Sequence, residues 1–142
     1  MAKNKEKPKS IAIDISRQEM KEFSLIELAG LFDAVRTMRD IGLAMSNQPR
    51  FQSKSEEFPE CFNYNLAGKS LEKIICFFDR CETELADLIR NMPCEDEWDV
   101  DRKYERLMLY DSAEGFEHIH KLLSDALGDL AQIRLNKKRA AA

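Results

Sequence analysis

The sequence predicts an all-α protein built as an antiparallel bundle of three long helices. Glycine and proline are scarce, at five and four of the 142 residues, so the chain has few turn-forming positions. Charged residues make up 34% of the chain. Along three long stretches, apolar residues recur at alternating steps of three and four, which places them on one side of an α-helix. The length suits one domain with one core.

The first helix is predicted over about residues 16–46. Ser16 and Glu19 have the spacing of a capping box, in which each side chain accepts a hydrogen bond from the other residue's backbone N–H. Apolar residues follow at helical spacing, and Asn47 and Pro49 are typical of a helix end. The apolar face is wider than a coiled-coil seam, which favours a helix with two neighbours.

The second helix is predicted over about residues 59–92. Pro59 fits the first turn, where its missing N–H is not needed, and Pro93 ends the helix. Charged residues of this stretch, Glu82 among them, are expected to face mainly water. The apolar seam consists of Tyr64, Ala67, Leu71, Ile74, Phe78, Cys81, Leu85, Leu88 and Met92.

The third helix is predicted over about residues 97–137, and acidic residues at its start favour a helix N-terminus. Within this stretch, Asp111 and Glu114 followed by Gly115 resemble a second helix start, although the helical register continues without a slip. One long helix that bends there is the preferred interpretation. A break near 111–115, which gives four helices, is the alternative.

Charge divides the chain into an acidic body and two basic ends. The net charge is -4, of which residues 1–10 contribute +3 and residues 134–139 contribute +4, so the remainder carries -11. We expect residues 1–10 to be a disordered basic tail, 11–137 one helical domain and 138–142 a C-terminal tail. An acidic body disfavours broad binding of nucleic acid. Candidate phosphate contacts at the two ends are Lys3, Lys5, Lys7, Lys9, Lys137, Lys138 and Arg139.

The sequence favours a cytoplasmic protein that does not associate with membranes. Its apolar runs fall short of the roughly 18 to 20 residues that span a bilayer. No hydrophobic segment follows the N-terminal lysines as it does in a signal peptide. The four cysteines have neither disulfide-type nor zinc-type spacing, so we expect them to be reduced.

No motif in the sequence assigns a catalytic residue, a metal or a cofactor. Glu117 and His120 have the Glu-x-x-His spacing of di-iron bundles, but such a site needs the motif twice. The one other histidine, His118, lies on a different side of the helix. Glycine-rich phosphate loops are absent from the sequence, and no spacing suggests a nucleophile paired with histidine. An enzyme is therefore the third and least favoured class.

The function predicted first is a non-enzymatic interaction module with a structural, adaptor or regulatory role. The wide apolar faces of the first two helices suggest an uncovered strip, which would bind a second copy, with a dimer favoured, or a protein partner. Burial of this strip within one chain is the alternative. The second hypothesis is a nucleic-acid-associated protein that uses its basic ends. The candidate interface residues are Phe32, Ile75, Phe77 and Phe78.

Overall fold

The computed structural model describes residues 20, 22–54, 62–112 and 116–141. The described residues form four helices: α1 (Leu25–Ser46), α2 (Leu66–Asn91), α3 (Glu97–Asp111) and α4 (Phe116–Ala140). Between α1 and α2 lie a 3-10 helix (Pro49–Phe51) and two short antiparallel strands, β1 (Gln52–Lys54) and β2 (Phe62–Tyr64). The all-α prediction is confirmed, with four helices in place of three.

The predicted third helix is two helices. α3 ends at Asp111, and α4 begins at Phe116 and packs antiparallel along α3. The preferred interpretation of one continuous helix is therefore wrong, and the alternative of a break near 111–115 is correct. Folding back brings Leu122 and Ile133 of α4 into the core, whereas a continuous helix would carry both side chains away into water.

Helix α1 begins at Leu25, later than the predicted start at Ser16. Its cap is Ser24, whose side chain accepts a hydrogen bond from the backbone N–H of Glu27 (3.4 Å). The Glu27 carboxylate in turn accepts one from the Ser24 N–H (2.8 Å). This is the capping-box arrangement at a second Ser-x-x-Glu sequence. The predicted pair of Ser16 and Glu19 lies outside the described residues.

Helix α2 begins at Leu66, so the predicted start near residue 59 is wrong, because β2 precedes the helix and pairs with β1. Asn65 caps α2 by accepting a hydrogen bond from the N–H of Gly68 (2.9 Å), and its own N–H donates to the Phe51 carbonyl (3.0 Å). Gly68 lies so close to this carbonyl that a Cβ atom there would collide with it. The strand and the cap therefore fix where the helix starts. Pro59 lies outside the described residues.

The buried side of α2 is shifted by one residue from the predicted seam along part of the helix. Ile75, Glu82 and Ile89 are buried, whereas Ile74 is 52% exposed and Cys81 is only half-buried. The seam was predicted from apolar residues alone. Because Glu82 is charged, the prediction placed its apolar neighbour Cys81 in the seam instead.

Helices α1 and α2 extend beyond the end of α3. The Nη1 atom of Arg36 donates to the carbonyl of Leu109, close to the α3 C-terminus, at 3.2 Å. Beyond this level Gly42 still packs against Ile75, so the two helices continue as a pair. We name this pair the helical arm, which comprises residues 37–46 of α1 and 66–81 of α2. The core proper lies where the four helices meet, and its largest fully buried side chains include Phe32, Leu28, Leu85, Ile89 and Leu107.

Candidate interaction surface

The helical arm leaves large apolar side chains exposed, because two helices alone bury only the sides that face each other. Met38, Ile41 and Ile74 are 54%, 51% and 52% exposed. Met45 and Phe77 beside them are half-buried. We name this surface the apolar face, which consists of Met38, Ile41, Met45, Ile74, Phe77 and Phe78.

The two rows of this face lie on the same side of the arm. Gly42 and Ile75 lie on the line along which the two helices face each other, because a Cβ atom at Gly42 would be 2.8 Å from Cγ1 of Ile75. Ile41 and Ile74 each precede that line by one residue, which is a rotation of about 100° on each helix. Since α1 and α2 are antiparallel, equal rotations on both helices lead to one side of the pair. The residues that bond to α3, such as Arg36, lie on the opposite side.

Two of the four predicted interface residues belong to the apolar face. The Phe77 and Phe78 rings lie 5.6 Å apart in an edge-to-face arrangement, and both side chains are half-buried. Phe32 has no exposed surface and Ile75 is buried against Gly42, so both are covered within the chain. Their burial leaves no surface there for a partner to contact.

Met38, Ile41 and Ile74 lie on the apolar face but were not among the predicted interface residues. A pattern in the sequence identifies the residues of the apolar face that lie on α1. It is a second apolar row at steps of three and four, beside the row that enters the core. This row consists of Leu31, Ala34, Met38, Ile41 and Met45.

A buried ion-pair cluster joins α1 and α2 at the base of the helical arm. The Glu82 carboxylate is 1% exposed and accepts a hydrogen bond from Arg36 Nη1 at 2.9 Å. Arg39 also donates to this carboxylate and contacts Asp79 at 3.8 Å. Because a buried carboxylate is costly unless it is paired, α1 and α2 are stable in the register that brings both arginines beside Glu82.

A second apolar surface is the groove between α3 and α4, which has a volume of about 490 Å³. Leu127 is the more exposed of its two exposed leucines, at 67% against 44% for Leu123. The two charged residues of the lining, Asp101 and Glu105, are both acidic. The complete lining is Val100, Asp101, Tyr104, Glu105 and Met108 of α3 with Leu123, Ala126, Leu127 and Leu130 of α4.

A polar cleft of about 810 Å³ lies between α2, α3 and α4. Arg90 at its edge bonds to Asp87 at 3.1 Å and to both carboxylate oxygens of Asp111 at 3.0 and 3.1 Å. His118 and Lys121 also line the cleft and are exposed. Across the part of the chain that is described, no group of three or more histidine, cysteine, aspartate or glutamate residues is arranged to hold a metal ion.

Asp129 at the end of this cleft ties α4 to α3. One of its oxygens accepts hydrogen bonds from the Tyr104 hydroxyl (2.9 Å), Lys103 Nζ (3.3 Å) and Cys94 Sγ (3.5 Å). Burial alone would raise the pKa of Asp129, but these hydrogen bonds and the Lys103 charge outweigh it and lower that pKa. Burial raises the pKa of the Cys94 thiol to about 11, which makes it a poor nucleophile at neutral pH. Burial, followed by the bond to Asp129, also raises the pKa of Tyr104. The cluster therefore has the chemistry of an interhelical tether.

The predicted phosphate contacts lie at the two ends of the chain. Lys137, Lys138 and Arg139 are exposed in the last turn of α4, where cations interact favourably with the helix dipole. Lys137 Nζ lies 3.9 Å from a carboxylate oxygen of Glu97. The N-terminal lysines lie outside the described residues. Contact with phosphate stays a prediction for all of them.

Comparison with known proteins found no matching family model, no similar curated protein and no similar solved structure. None of the described helices is both long enough and apolar enough to cross a membrane. The described residues thus form four helices with a projecting helical arm, and two apolar surfaces are exposed among them.

Proposed function

We propose that this protein is a non-enzymatic interaction module that dimerises through the apolar face of its helical arm. The observation that carries the proposal is the exposure of Met38, Ile41 and Ile74 side by side on one face of the arm. Each is a large apolar side chain with about half of its surface in water. Covering the exposed part contributes roughly 1 kcal/mol per side chain.

A second copy is the occupant that fits this face best. A two-fold dimer brings the same patch of both copies together, so the patch must be complementary to itself. The apolar face contains no charged residue and therefore needs no matching charges on its partner. Two arms packed face to face give four helices around one apolar centre, the layered arrangement that a single helix pair lacks. Met38 and Met45 add unbranched side chains that adapt to an opposing surface.

The proposal includes a structural, adaptor or regulatory role in the cytoplasm. In the proposed dimer, the helices of the two arms pack against each other much as in a coiled coil. The dimer would then be the unit that binds other proteins. Cys76, Cys81 and Cys94 are free thiols, which supports a reducing compartment.

Light scattering on variants of the apolar face tests the proposal. The Ile41→Glu variant places a charge at an exposed position of the face, so we expect it to be folded and monomeric where the wild type is a dimer. Leu135→Glu is the matched control, because Leu135 of α4 is 51% exposed and lies far from the arm in the sequence. A dimer that persists in Ile41→Glu contradicts the proposed interface, provided that circular dichroism gives the same helix content in both variants.

Nucleic-acid association through the basic ends is the second candidate, supported by the three adjacent exposed cations in the last turn of α4. Binding of this kind weakens steeply with salt, because it releases counterions from the phosphates. It is tested by measuring the affinity for a nucleic acid duplex at two salt concentrations, with and without residues 1–10 and 137–142. Affinity that does not depend on salt, or that survives the truncation unchanged, contradicts it.

A further inference from the structure

We infer that the groove between α3 and α4 binds a cationic amphipathic helix of a protein partner. This surface is separate from the apolar face of the arm, so the inference goes beyond dimerisation. The groove is open, and Leu123 and Leu127 stand exposed along its α4 side. Its apolar lining would be covered by a helix laid between the two existing ones.

The length of the groove suits two turns of a helix. Its lining runs from Val100 to Met108 on α3 and from Leu123 to Leu130 on α4. At 1.5 Å per residue, either side is about 10 to 12 Å long. A bound helix with apolar side chains at positions i, i+3 or i+4, and i+7 would place one anchor on each turn along this distance.

Charge on the α3 side selects a cationic helix. Asp101 and Glu105 are one helical turn apart on this side and are the only charged residues of the lining. Glu105 also bonds to Arg106 at 2.7 Å, but Arg106 is shared with Asp33, which it meets at 2.7 Å. The side therefore keeps a negative charge for lysine or arginine on the partner. The acidic body of the protein favours a cationic partner at longer range as well.

The acidic part of this side is short. Beyond the groove, the Glu97 carboxylate lies 3.8 Å from Arg134 and 3.9 Å from Lys137 and so already has cationic neighbours. We therefore expect two cationic residues, four apart, on the partner helix rather than a long basic row.

A synthetic peptide tests the inference directly. The probe is an amphipathic helix of about 16 residues with leucine at i, i+3, i+4 and i+7 and two lysines, four apart, on one flank. Fluorescence anisotropy is expected to give saturable binding to the full-length protein. Leu127→Asp is expected to weaken the affinity at least tenfold, about 1.4 kcal/mol. The control Leu135→Asp, at an exposed position outside the groove lining, should leave the affinity unchanged.

A charge exchange tests the selectivity. The double variant Asp101→Lys with Glu105→Lys should bind the lysine peptide at least tenfold more weakly and should bind a peptide with glutamate in place of the two lysines better than the wild type does. Equal binding of both peptides overturns the inference. So does binding that is lost in salt but insensitive to Leu127→Asp, which would mean general attraction to the acidic body. Loss of dimerisation in Leu127→Asp would assign the groove to a second copy and also overturns it.

Discussion

Replacing Glu82 with alanine probes how α1 and α2 are held in register. In the native protein the carboxylate has 1% of its side-chain surface exposed, while the side chains of Arg36 and Arg39 are 26% and 20% exposed. Both arginines donate hydrogen bonds to it. The carboxylate therefore depends on the two arginines for its polar contacts, whereas each arginine still reaches water.

This asymmetry sets the expected magnitudes. A hydrogen bond to a charged group contributes about 1.5 to 3 kcal/mol. After the Glu82→Ala change, Arg39 keeps its bond to Asp40 (3.0 Å) and Arg36 keeps its bond to the Leu109 carbonyl (3.2 Å). We expect the free energy of unfolding to fall by about 2 to 3 kcal/mol. Replacing both arginines with alanine leaves a buried charge unpaired, and we expect that variant to lose about 3 to 5 kcal/mol.

Urea unfolding followed by circular dichroism at one protein concentration measures these losses. Glu72→Ala is the control, because Glu72 is exposed on α2, and its effect should stay within about 0.5 kcal/mol. The reasoning is refuted if Glu82→Ala also stays within that range. It is refuted equally if the glutamate variant is less stable than the variant that lacks both arginines.

Three further changes have clear expected outcomes. Ser24→Ala removes the α1 cap and should lower the free energy of unfolding by about 1 kcal/mol in urea titrations. Gly68→Ala should destabilise the protein by about 1 to 3 kcal/mol, because the new Cβ meets the carbonyl of the 3-10 helix. The control Gly30→Ala has open space at this position and should be stabilising by up to about 1 kcal/mol. The lowered pKa of Asp129 supplies stability that is present above its ordinary value of 3.8 and is lost as the pH falls through the native value. Tyr104→Phe removes one of its donors, so the stability measured at about pH 7 and about pH 3 should differ less than in the wild type.

The helices could be predicted from the sequence because the helical period is a local pattern, and the predicted start of α3 at residue 97 is confirmed, but the first residues of α1 and α2 could not be predicted. Ser-x-x-Glu occurs at Ser16 and again at Ser24, and spacing alone gives both the same signal. Asn65 caps α2, and its own N–H donates a hydrogen bond to the carbonyl of Phe51 in the preceding 3-10 helix. The Phe51 carbonyl is brought there by tertiary structure, so the predicted start of α2 near residue 59 was wrong because a non-local contact fixes the start.

The one-residue shift along α2 has the same origin. A pattern search excludes glutamate from a buried seam, and Glu82 is buried only because Arg36 and Arg39 of α1 reach it. The break after Asp111 likewise depends on burial that α4 gains only after it folds back onto α3.

The candidate surface was predicted in part. Wide apolar faces on the first two helices indicated an uncovered apolar strip, and Phe77 and Phe78 lie on the apolar face. Phe32 and Ile75 are core residues, while Met38 and its neighbours carry the exposed area. The pattern gives the width of an apolar face but does not say which part another helix of the chain covers.

Sedimentation of the wild-type protein over a concentration range from about 1 to 100 μM tests dimerisation through the helical arm most directly. Association by mass action predicts that the mass rises from that of one chain to that of two and stops there, because a two-fold contact is closed. The Ile41→Glu variant should remain at the mass of one chain over the same range. A wild-type mass that stays at one chain throughout would contradict the proposed function.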